Sequence, residues 1–110
     1  MRSNAPTKQH IRVPGVLAVA VPASVVSVLS DLLSPFPVLY ASTFEYGLFL
    51  LAESRPHVAL LDVTQEQFVQ FDQLARDLRC TPVLFRAGQS NEEIAKSLER
   101  ELLAQDALRG

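Results

Sequence analysis

The sequence predicts an α/β fold in which a parallel sheet is wound by helices on both faces, and three observations lead there. Short continuous apolar runs at 16–21, 38–41, 58–63 and 82–85 alternate with longer stretches of helical period. The runs lack the in-out alternation of a sheet with one wet face, so they read as strands buried on both sides. Breakers separate the segments: Pro14-Gly15, Pro22, Pro35, Pro37, Pro56 and Gly88. Strand then helix, four times over with short connections, implies right-handed crossovers.

Residues 1–14 read as a flexible polar arm, in which His10-Ile11-Arg12-Val13 can add a short extended piece. Val16-Leu17-Ala18-Val19-Ala20-Val21 is rich in β-branched residues and forms the first strand. At Pro22 the period changes: Val25, Val28, Leu29 and Leu32 recur at helical spacing, and proline suits a helix start. That helix ends near Ser34, Pro35-Phe36-Pro37 breaks the chain, and 38–41 is the second strand. Ser42 or Thr43 can cap a helix whose apolar stripe is Tyr46, Phe49 and Leu50 and which Pro56 stops. The third strand, 58–63, is apolar until Asp62. A polar-rich helix over 64–78 follows, with Phe68, Phe71, Leu74, Ala75 and Leu78 on its inner face.

Pro82-Val83-Leu84-Phe85 is the fourth strand, and Ser90 ahead of Glu92 and Glu93 marks the last helix start. That helix spans about 91–108, with Ile94, Ala95, Leu98, Leu102, Leu103 and Leu108 apolar. Helices rise about 1.5 Å per residue, so this one is long for a small sheet and part of it is expected to project. The organisation is then an arm at 1–14, an α/β domain at 15–89, and a C-terminal helix at 90–110 that can serve dimerisation.

A chain of 110 residues has room for one core. Its formal charge of −2 lacks the basic excess that phosphate-backbone binding requires, which argues against nucleic acid as a partner. Cys80 is the single cysteine, so no disulfide or thiolate cluster can form within the chain, and it reads as a small buried hydrophobe. His10 and His57 have no ligand partner at metal spacing and read as surface residues. Ala20-Val21-Pro22-Ala23 contains no glycine, which removes a dinucleotide-binding turn. The apolar stretch from Val16 to Val28 is interrupted by Pro22 and falls short of a membrane span. A cytoplasmic protein without a cofactor, a metal or an enzymatic activity is the expectation.

Several stretches taken in order resemble the response-regulator receiver domain of two-component signalling: Val28-Leu29-Ser30-Asp31-Leu32-Leu33, Tyr40-Ala41-Ser42-Thr43-Phe44-Glu45-Tyr46, the run from Leu50 to Val63 through Pro56-His57-Val58-Ala59-Leu60-Leu61-Asp62, and Arg79-Cys80-Thr81-Pro82-Val83-Leu84-Phe85. The resemblance covers about 16–88. It implies a flavodoxin-like doubly wound sheet, here four strands in the order 2-1-3-4 with a long C-terminal helix, and makes Asp62 the match of the phosphoacceptor. It also exposes departures. Ala20 and Val21 stand where that family carries a magnesium-holding acidic pair, Ala87 stands where a hydroxyl residue ends the fourth strand, and the fifth strand with its lysine has no counterpart.

Magnesium takes oxygen ligands and usually one or two carboxylates, so Asp62 alone is a poor site. Phosphoryl transfer relies on positioning and charge stabilisation, both of which the departures weaken. The expected function is therefore that of a degenerate, receiver-like signalling or interaction module of phosphorelay type. It would act through a homodimer or through a signalling partner such as a histidine kinase or an output protein. The alternative is a phosphoacceptor at Asp62 served by a histidine kinase. Arg86 is the candidate counter-charge for Asp62. An uncovered fourth strand invites a partner, and Val83, Phe85, Ile94, Leu98 and Leu102 are the expected dimer contacts.

Overall fold

The computed structural model describes residues 15–109, with side chains described through Gln105. The arm at 1–14 and the side chain of Leu108 lie outside the described residues.

Four strands form one parallel sheet in the order β2-β1-β3-β4: β1 (Val16–Val19), β2 (Val38–Ala41), β3 (Val58–Leu61) and β4 (Thr81–Leu84). The helices are α1 (Ala23–Leu32), α2 (Phe44–Ser54), α3 (Gln65–Asp77) and α4 (Asn91–Arg109). This is the expected flavodoxin-like α/β arrangement with its long last helix. The register sets Val16, Leu17, Ala18 and Val19 beside Val38–Ala41 on one side and Val58–Leu61 on the other. The central strands β1 and β3 are buried along their whole length.

Successive side chains of a strand point to opposite faces, and the core divides accordingly. Val16, Ala18, Val58 and Leu60 face one layer with Leu29 and Leu33, and with Ile94, Ala95, Leu98 and Leu102 of α4. Leu17, Val19, Ala59 and Leu61 face the other with Phe44, Leu51, Phe71, Ala75 and Cys80. Thus α1 and α4 cover one face, and α2 and α3 the other.

Two strands are shorter than the apolar runs that announced them. After Val19 the backbone of Ala20 turns to φ 59°, and β3 ends at Leu61, just before Asp62, so each strand stops two residues short of its sequence run. The helix faces differ too. The stripe expected on α2 was Tyr46, Phe49 and Leu50, yet Phe44, Gly47 and Leu51 are buried while Tyr46 and Phe49 are half exposed and stack on each other at 6.0 Å. Gly47 explains the rotation: a Cβ there would meet Val19 Cγ1 at 2.7 Å, so the helix turns its bare position, not its largest side chains, toward β1. On α1 and at its C-cap, Leu29 and Leu33 are buried, while Val28 and Leu32 lie partly in solvent. On α3, Leu74 is likewise largely exposed.

Helix starts follow their local chemistry. Thr43 accepts from Tyr46 N, Thr64 and Gln67 form a reciprocal capping box, and Ser90 and Glu93 form another. These caps fix where the chain re-enters a helix after β2, β3 and the turn following β4.

Candidate functional site

Open α/β sheets bind ligands outside the carboxyl ends of their strands, at the point where strand order reverses. In this sheet that point lies between β1 and β3, and Ala20 and Asp62 flank it. Asp62 donates its backbone N–H to Val19 O at 3.0 Å, and Ala20 donates to Ala41 O at 2.8 Å, so both ends are fixed by the ladder. The Asp62 side chain stands exposed.

Next to it the chemistry is sparse. Ala20 contributes a methyl group, and Val21 is fully buried in the α1–α4 layer. Among the described residues no group of three or more His, Cys, Asp or Glu could hold a metal ion. The donor set at this end, one carboxylate flanked by two apolar residues, does not fit magnesium.

Arg86 does not answer Asp62. Among the described residues the ion pair formed is Arg76 with Asp72 at 3.0 Å, and Arg86 makes none. Instead Arg86 lines a shallow groove of about 200 Å³ between β4 and α4, with Leu60, Val83, Ile94, Gln89 and Ser97. The groove opens on the α4 side of the sheet. As a counter-charge that replaces metal and lysine at Asp62, the expected role of Arg86 is not realised in this geometry.

The residues expected at a subunit contact divide into two sets. Val83 and Phe85 are half-buried at the sheet edge, packed against the α1–α4 layer but not covered by it. Ile94, Leu98 and Leu102 are no more than 3% exposed and belong to the chain's own core. They leave no surface for a partner, because this part of α4 packs against α1 and the face of β1 and β3. The dimerisation role of these three residues is therefore corrected: they hold α4 on its own domain.

Two features escaped the sequence reading. His57, expected at the surface, is fully buried at the amino end of β3, where its backbone N–H donates to Gly15 O at 3.1 Å. Gln105 donates through Nε2 to His57 O at 2.9 Å and to Thr81 Oγ1 at 2.8 Å, clasping α4 to the amino ends of β3 and β4. The signal was present in the spacing: Leu98, Leu102 and Gln105 share one helical face, so a glutamine there points inward and needs partners. Cys80 is buried, as expected.

No protein-family model matches the chain, and no curated protein sequence matches it significantly. No helix among the described residues is long and apolar enough to cross a membrane.

Proposed function

We propose that this chain is a receiver-like signalling or interaction module of the phosphorelay type, acting through contacts with a second copy or a signalling partner and not through catalysis. The observation that carries the reading is the surroundings of Asp62. An exposed carboxylate ends the third strand of a 2-1-3-4 sheet, where a receiver holds its phosphoacceptor, while Ala20, Val21 and Ala87 occupy the positions that would supply metal ligands and a hydroxyl. Without those groups the transition-state charge of phosphoryl transfer has no preorganised partner. The function then passes to surfaces, and β4 offers an open one. A cytoplasmic setting suits such a module.

The exposed Asp62 also supports a second reading, in which a histidine kinase phosphorylates it. Incubating the protein with acetyl phosphate and magnesium, then measuring the intact mass, separates the two. The module reading expects no phosphoryl adduct. An adduct that disappears in Asp62→Asn overturns it in favour of the phosphoacceptor.

A further inference from the structure

We infer that two copies of this chain join through antiparallel pairing of their β4 strands about a two-fold axis at Leu84, extending the sheet from four strands to eight. The inference rests on the dimeric form of the module reading and specifies its contact.

The pairing follows from which backbone groups β4 leaves unused. Among the described residues β3 is its one strand neighbour. Thr81 N donates to His57 O at 2.9 Å and Phe85 N to Leu61 O at 2.7 Å, so residues 81, 83 and 85 turn their backbone toward β3. Pro82 and Leu84 therefore turn theirs outward. The open edge presents Pro82 O, Leu84 N–H and Leu84 O, followed by Arg86 N–H. Proline is tolerated here because its missing N–H falls on the free side.

That missing donor selects a register. Centring an antiparallel pair on Pro82 discards the central bonds, and centring it on Val83 leaves two. Centring it on Phe85 calls on Arg86 O, which already accepts from Gln89 N at 3.3 Å. Centring it on Leu84 gives four bonds: Leu84 N to the second copy's Leu84 O, Arg86 N to the second copy's Pro82 O, and the two reciprocals. The bond lost to Pro82 in this register is the one whose acceptor would be Arg86 O, the oxygen already committed to Gln89. Donors and acceptors on this edge are thus self-complementary, as an isologous contact requires.

The side chains favour the same register independently. It sets Val83 directly opposite the second copy's Phe85, and Phe85 opposite its Val83, in the closely spaced type of pair where an aromatic and a β-branched residue interact well. Both are half-buried residues on the α4 side that their own chain does not finish covering. Leu84, 41% exposed, meets its own copy on the other face. No two like charges stand opposite each other.

Sedimentation of the full chain over a range of concentrations should show a reversible dimer. Leu84→Pro removes the central N–H without touching a β3 bond, and should weaken assembly by more than about tenfold, whereas Leu84→Ala should keep most of it. Because a proline variant can fail to fold, Leu84→Cys gives a second reading. A hydrogen-bonded antiparallel pair brings Cα atoms to about 5.5 Å, within disulfide reach, so mild oxidation should link two copies. Leu39→Cys, on the opposite edge strand, should stay unlinked. A dimer that persists in Leu84→Pro and does not cross-link through Leu84→Cys overturns this contact but leaves a dimeric module standing. A monomer at every concentration overturns both.

Discussion

At the carboxyl ends of the strands Asp62 and Arg86 stand in solvent, whereas at the amino ends His57 is sealed away and its carbonyl accepts from both Thr81 N and Gln105 Nε2. Gly15 O takes two more donors there, from His57 N and Val58 N. The carboxyl end is where a fold of this kind places its chemistry, and here it is open, sparsely equipped and strained at Ala20. The amino end has no expected ligand, yet it holds the denser hydrogen-bonding. The contrast teaches that cohesion and reactivity are separated along the strand axis, so substitutions at the two ends should fail in different ways.

The largest effect should come from the helix that reaches the amino end. Leu102→Ala, which empties a fully buried site, should lower unfolding free energy by about 2–5 kcal/mol in denaturant titration. Gly47→Ala tests the carboxyl half, since its new Cβ would press on the buried Val19 side chain at 2.7 Å. Overpacking of this kind costs about 1–3 kcal/mol, and the better helix propensity of alanine returns only part of it. Gln105→Ala should cost about 1 kcal/mol through two lost hydrogen bonds, since His57 O keeps the Thr81 N–H, and should raise amide exchange in the C-terminal turns of α4 first.

Smaller effects belong to the open end. Ala20→Gly relieves a left-handed backbone that costs an L-residue roughly 1–2 kcal/mol, against about 0.5–1 kcal/mol of added unfolded-state entropy, so a modest rise in melting temperature is expected. Asp62→Asn should change stability by no more than about 0.5 kcal/mol, because the backbone N–H of residue 62, and not its side chain, makes the sheet bond. A loss of stability at Asp62 as large as that at Gln105 would abolish the distinction between the ends.

The placement of strands and helices was legible because period and breakers agree along the chain, from the apolar run at 58–61 to the capping residues Thr43 and Ser90, whereas the strand order 2-1-3-4 came only as what the receiver resemblance implied. The facing of helices was less so. Tyr46 and Phe49 outweigh Gly47 on any hydrophobicity scale, but close approach to Val19 depends on the absence of a side chain, which apolar periodicity does not register. Asp62 was found at its strand end from the apolar run alone. That Arg86 lines the β4–α4 groove depends on how α4 packs back beside β4, and no spacing rule encodes it.

The position of α4 has a consequence for the order in which the molecule is assembled. It packs beside α1, so the layer over Val16, Ala18, Val58 and Leu60 joins segments from opposite parts of the chain, while α2 and α3 cover the reverse layer with residues close to their own strands. Contacts between distant segments carry the greater loop-closure cost and form slowly. During synthesis the α2–α3 layer can therefore consolidate while its opposite still shows bare aliphatic surface, and that surface is protected only once residues 91–105 have been made. A nascent chain halted before that point would present Leu29, Leu33, Val58 and Leu60 to the cell, as a substrate for chaperones.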